Sequence, residues 1–151
     1  HEQQNYAAVL LVDMDDFRSN NVRLGHQAGD MMLQQSAWRL GQALGPNVAV
    51  ARLYADKFLI VLEELGATPD EAGVSAQQRA ACVRNCFSEA FDINAAPVHA
   101  TVSMGLCLIG MRDIISTDVL IDRAEMVTYD AKQAGGDCLF SFEFGAMEHG
   151  A

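Results

Sequence analysis

Residues 6–12 read YAAVLLV, an apolar run with no polar break. Successive side chains of a strand point to opposite faces, so a strand with one wet face alternates apolar and polar residues. A continuous run asks for cover on both faces, as a central strand has when helices pack above and below its sheet. The run stops at Asp13-Met14-Asp15-Asp16, which sets carboxylates where the strand leaves the sheet. With 151 residues, a single domain buries about 70% of its unfolded surface, enough for a core of that kind.

The remaining pattern supplies the cover. Leu33, Ala37, Leu40 and Leu44 recur at helical spacing and predict a helix that ends near Gly45-Pro46. Residues 48–53 and 58–62 are the arms of a β-hairpin, and the polar stretch 63–75 reads as a loop. A second helix places Ala80, Val83, Phe87 and Phe91 on one side. Val98, Ala100, Val102, Met104, Leu106 and Leu108 then share one face of a strand over 98–109. Thr117 is the expected N-cap of a helix carrying Leu120, Ala124, Val127 and Ala131, closed by Gly135. Residues 138–143 form a last strand. The order β-α-β-β-α-β-α-β predicts an α+β fold, a mixed central sheet covered by helices in the split-βαβ, ferredoxin-like manner. One domain over 1–151 is expected, with its core over about 6–144 and a tail over 145–151 that frays or leads to a following module. With His1 rather than Met as its first residue, the chain is expected to be a piece of a longer polypeptide.

The net charge of −10, from 20 acids against 10 Lys and Arg, repels phosphate backbones, and no basic stripe offsets it. Nucleic-acid binding is therefore not expected. No apolar run approaches the length of a membrane span and no signal peptide is visible, so neither membrane contact nor secretion is expected. Cys82 and Cys86 are four apart on a predicted helix, but no second pair with metal-ligand spacing follows. The four cysteines read as reduced thiols serving as small core residues in a cytoplasmic protein.

Asp13 ends the first strand and Asp56 sits on the hairpin corner. If the hairpin lies beside that strand, the two carboxylates converge. Mg²⁺ takes one or two carboxylates together with water and phosphate oxygens, which suits such a pair. Acids after strands also serve as plain solvated turn residues, and spacing alone leaves both readings open.

Longer motifs go further. VDMDDFRSNNVRLGHQAGDMML (12–33) resembles the opening of GGDEF domains, the diguanylate cyclase family, with its strand, Asp-x-Asp-x-Phe, Asn and Leu-Gly-His-x-x-Gly-Asp. VARLYADKFLIVL (50–62) stands where that family has Arg-x-Gly-Gly-Asp/Glu-Glu-Phe. TVSMGLCLI (101–109) resembles its Thr-x-Ser-x-Gly strand, and LIDRAEMVTYDAKQAGGD (120–137) its Ala-Asp-x-Ala-Leu-Tyr-x-Ala-Lys helix. The resemblance covers roughly residues 6–142. It implies a nucleotidyl-cyclase palm and a reaction in which two facing domains, each holding GTP, make cyclic di-GMP with metal ions. It further implies metal binding by Asp13, the Met14 carbonyl and Asp56, with Asp56 the signature acid. By the same resemblance Asn21 and Asp30 read the guanine edge and Lys132 meets phosphate.

The signature is degenerate. Tyr54 and Ala55 replace both glycines, and Lys57 replaces the acid after Asp56. Gly136 stands where the family has an arginine, and Val22 where an acid often follows the Asn. Gly45 and Val48 occupy the places of the Arg-x-x-Asp product site, which is thus expected to be absent. Glycine supplies positive φ and a bare backbone for phosphate and ribose, whereas Tyr54 brings a ring. The expectation is a regulatory, nucleotide-sensing or dimerisation module that makes no cyclic di-GMP. It would bind Mg²⁺ only with GTP, form a homodimer, sit beside an EAL or sensor domain, and modulate an adjacent EAL phosphodiesterase. The alternatives are a working diguanylate cyclase and a protein-interaction module that binds no nucleotide.

Overall fold

In the computed structural model, which describes residues 5–110 and 112–144, strand β1 (Ala7–Met14) is buried from Ala8 to Met14. It occupies the middle of a five-stranded sheet. Its neighbours are β3 (Lys57–Leu62), which forms a hairpin with β2 (Ala49–Tyr54), and β6 (Val102–Ile109), both antiparallel to it. β7 (Leu139–Glu143) adds a parallel edge to β6, which makes the sheet mixed, as expected.

Alternation along β1 splits its apolar run between two cores. Ala8, Leu10, Val12 and Met14 face helices α2 (His26–Leu44) and α3 (Pro69–Asn85). Val9 and Leu11 face α4 (Thr117–Gln133) with Cys107, Ala124 and Val127. Continuing the two-residue period, Asp13 emerges on the α4 side. Helix α4 lies close to the sheet because β6 offers Gly105 there. A Cβ on Gly105 would stand 2.4 Å from Thr128 Oγ1 and 2.7 Å from the Ala124 carbonyl oxygen. Glycine in a strand interior marks such a close approach.

Several expected boundaries move, each for a non-local or stereochemical reason. Residues 17–24 form a helix of their own, α1 (Phe17–Leu24), set off from α2 by Gly25 at φ +95°. On α2, Ala37 is exposed and Ser36 takes the buried place, its hydroxyl donating to the Met32 carbonyl at 2.7 Å. The stretch 63–75 is not all loop, since α3 starts at Pro69 with Thr68 as N-cap, whose hydroxyl accepts from the Glu71 amide. Helix α3 stops at Asn85, so Phe87 and Phe91 are not on it. Arg39 ends it by donating to the carbonyls of Cys86, Glu89 and Ala90, each at 2.8 Å, with its guanidinium 4.0 Å from the Phe91 ring centroid. Phe91 belongs to a small hairpin, β4 (Phe91–Ile93) with β5 (Ala96–Val98). Val98 thus ends β5 and β6 begins only at Val102. The N-cap of α4 is Ser116, whose hydroxyl accepts from the Val119 amide, and Thr117 is the first helical residue. Of the cysteines only Cys107 is a core residue; Cys86 and Cys138 are half-buried and Cys82 is exposed. The tail at 145–151 lies outside the described residues. Among those described, no helix is long and apolar enough to cross a membrane.

Candidate functional site

The hairpin corner is tied to the end of β1. The Met14 amide donates to the Asp56 carbonyl at 3.3 Å, and Asp13 pairs with Lys57 in the strand register. These contacts bring the Asp56 carboxylate within hydrogen-bonding reach of Asp13, which is only 7% exposed. Burial first, then the hydrogen bond and charge of Asp56, push the Asp13 carboxyl from 3.8 up to about 7, against the pull of Lys132. Asp13 Oδ1 is buried and accepts no hydrogen bond.

Lys132 reaches this point from the last turn of α4. Its ammonium lies 3.2 Å from Asp13 Oδ1 and 3.6 Å from Asp15 Oδ1, and it donates to the Met14 carbonyl at 3.3 Å. Asp13, Met14, Asp56 and Lys132, widely separated along the chain, therefore meet at one place.

Asp15 was missed as a site residue at the level of sequence. It accepts from Thr101 Oγ1 at 2.7 Å, from Ser103 Oγ at 2.6 Å and from the Asp137 amide at 2.9 Å. Burial alone would raise its carboxyl, but the bonds from Ser103, Thr101 and Asp137 outweigh that and hold it low. Asp15 thereby clamps the end of β1, the start of β6 and the α4–β7 connection, and gives Lys132 a fixed anion. The signal was present in Thr101-x-Ser103, whose two hydroxyls sit one strand period apart and so point to the same side. Gly136, noted above as a departure from the family pattern, has φ +74°, and a Cβ there would come within 3.2 Å of the Asp15 carboxylate.

The signature corner is filled by side chains. Ala55 holds φ +49°, the left-handed conformation that glycine takes without cost. Tyr54 is 51% exposed, and its hydroxyl donates to Glu125 Oε1 on α4. The Lys57 ammonium lies 3.4 Å from that hydroxyl and 4.8 Å from the ring centroid. Lys57 is thus drawn to Tyr54, with its ammonium on the ring rather than on Asp56.

Asn21 and Asp30 lie on the α1–α2 pair. Asn21 Oδ1 packs on Gly29, where a Cβ would stand 1.7 Å from it, and accepts no hydrogen bond although buried. Asp30, next to Gly29, is exposed, and so is His26. Neither caps α2, whose start has no side-chain cap bond.

Among the described residues, no group of three or more His, Cys, Asp or Glu is arranged to hold a metal ion. Two carboxylates and the Met14 carbonyl remain, a hard-oxygen set. Mg²⁺ commonly binds one or two protein carboxylates and completes its shell with water and phosphate, so these residues fit that ion. Buried Asp13 Oδ1, which faces the Lys132 ammonium at 3.2 Å and is otherwise without a donor, is an oxygen such an ion would take.

Comparison with known proteins places the chain in a family. The family described as "Diguanylate cyclase, GGDEF domain" matches residues 1–138. The signaling protein YkoW of Bacillus subtilis is 30% identical over 98% of this chain and 18% of its own length. The bifunctional diguanylate cyclase/cyclic di-GMP phosphodiesterase MucR of Pseudomonas aeruginosa is 28% identical over 92% of this chain and 20% of its own. The chain thus spans about a fifth of these relatives. The crystal structure of the GGDEF domain of YfiN (TpbB) from Pseudomonas aeruginosa superposes with a TM-score of 0.81 at 28% identity, covering 93% of this chain and 84% of that one. Sheet order, motif positions and family match converge, and the chain belongs to the GGDEF family of cyclic di-GMP signalling domains.

Proposed function

We propose that this domain is a degenerate GGDEF module that binds GTP with Mg²⁺ but does not convert it to cyclic di-GMP. The observation that carries the reading is the covered corner. Where the family leaves bare backbone for phosphate and ribose, Tyr54 bridges the hairpin to Glu125 on α4, Lys57 closes over its ring, and Ala55 adds a methyl group. Phosphoryl transfer depends on positioning, and a misplacement near 1 Å is enough to cost about 10²-fold in rate.

Nucleotide binding is favoured by what is kept. Lys132 offers a cation for phosphate, Asp13, Asp56 and Met14 offer oxygens for a cation, and Asn21 Oδ1 is a buried acceptor without a donor. A guanine edge supplies donors of the kind that acceptor lacks. When bound, Mg²⁺ would neutralise phosphate charge at the Asp13–Asp56 pair. The protein's own part is to orient the triphosphate through Lys132 and to read the base through Asn21 and Asp30. The output is regulation of a neighbouring domain in the cytoplasm, either a sensor or an EAL phosphodiesterase, with homodimerisation through paired domains. The twofold activity in the name of MucR supports such a neighbour.

Purified domain incubated with GTP and Mg²⁺ should yield no cyclic di-GMP. Calorimetry should detect GTP binding that Asn21→Ala or Asp30→Ala weakens. Production of cyclic di-GMP that Asp56→Ala abolishes would make the domain a working cyclase and end this reading. Absence of any GTP binding would leave a pure interaction module.

A further inference from the structure

The ammonium of Lys132 rests on three oxygens, and two of them belong to the set that fits a divalent cation. It is 3.2 Å from Asp13 Oδ1 and 3.3 Å from the Met14 carbonyl oxygen. The third, Asp15 Oδ1 at 3.6 Å, is held in place by Thr101, Ser103 and the Asp137 amide. Asp13 Oδ1 is buried, and this ion pair is its contact with a cation. An ammonium and a divalent cation cannot share these oxygens, because like charges a few ångströms apart inside a protein repel strongly.

We infer that Lys132 is a tethered counter-cation, which holds the Asp13–Met14 cation place in the nucleotide-free protein and yields it when a triphosphate draws its ammonium away. This rests on the GTP-binding reading given above and adds an order of events to it. Lysine suits the role, since its flexible four-carbon stem lets the charge move while the backbone stays in α4. Its side chain remains 31% exposed, so it has room to turn toward an arriving phosphate. Asp15 cannot follow, being fixed by three hydrogen bonds. The consequence is coupling. Free Mg²⁺ alone competes against a cation already in place, whereas nucleotide and Mg²⁺ together remove the competitor. The domain would then respond to the metal–nucleotide pair and stay silent to Mg²⁺ by itself.

The test is Mn²⁺ binding followed by electron paramagnetic resonance, with no nucleotide present. Lys132→Met keeps the stem and removes the charge, and should bind Mn²⁺ at least about tenfold more tightly than the parent chain. Adding Asp13→Asn to that variant should abolish the gain. Equal or weaker Mn²⁺ binding by Lys132→Met overturns the inference, as does a gain that survives Asp13→Asn. A second readout is made on the parent chain, with a variant used only for assignment. Lys57 and Lys132 are the only lysines in the chain, so ¹⁵N-lysine spectra separate them once Lys57→Arg has assigned one signal. GTP with Mg²⁺ should move the Lys132 signal, and the same Mg²⁺ concentration alone should not. Movement with Mg²⁺ alone overturns the inference. So does GTP binding, seen by calorimetry, that leaves Lys132 unmoved, and in that case the nucleotide-binding reading survives. If calorimetry finds no GTP binding, that reading falls and the inferred release falls with it.

Discussion

Asp13 should make the domain less stable as pH rises toward neutrality. Its carboxyl is raised from 3.8 to about 7, so the folded state holds this proton more tightly than the unfolded chain does. The stabilisation is fully present below pH 3.8 and is lost as pH rises through about 7. Between about pH 5 and about pH 8 the loss is on the order of 2–3 kcal/mol. Asp13→Asn carries no titrating group there, so its advantage over the parent chain should grow by that amount over the same interval. Urea unfolding with a chelator at several pH values measures it directly. Parallel pH profiles for the two proteins would refute the reasoning, and so would a parent chain that gains stability relative to Asp13→Asn on going alkaline. The sign matters for function. A site that costs stability when its acids ionise is consistent with the proposed cation role, and such a conflict between stability and purpose is common at functional sites.

Other expectations follow from single contacts. Ala55→Gly relieves a left-handed alanine at φ +49°, and after the entropy of the added glycine should stabilise the domain by about 1 kcal/mol, seen as a melting point higher by about 2–4 °C. Gly105→Ala should cost at least about 2 kcal/mol, because its methyl group would meet the backbone at Ala124 and Thr128 as well as the Thr128 hydroxyl. Thr128→Ala should therefore fail to rescue it in the same melting assay. Asp15→Asn should lose about 2 kcal/mol at neutral pH, as its charge-assisted bonds from Thr101, Ser103 and Asp137 weaken. The carboxyl is held low, so its stabilisation is present above pH 3.8 and is lost as pH falls through the lower folded value, opposite to Asp13. Arg39→Ala should free the end of α3 and expose Phe91, read as faster amide exchange over residues 86–91.

The apolar run before Asp13, the hairpin around Asp56 and the helix carrying Lys132 were legible in the chain itself. Local periodicity records which side of a strand or helix is buried, and the spaced motifs record a family. Burial on both faces of β1 followed from YAAVLLV alone. What escaped local reading are contacts made over long separations. Asp15 meets Thr101 and Ser103 across 86 and 88 residues, Tyr54 meets Glu125 across 71, and Lys132 meets Met14 across 118. Arg39 ends a helix lying 47 residues away, and no period within that helix could announce it. These pairings depend on where α4 and α3 come to rest on the sheet. Gly105 lets α4 approach, and the β1 pleat then points Asp13 at Lys132. Residue types along the chain thus determined which groups were available and which elements would carry them. Packing of helix on sheet decided that an ammonium would stand among the acids and that a tyrosine would cover the corner, because side chains choose partners by distance in space and not in sequence.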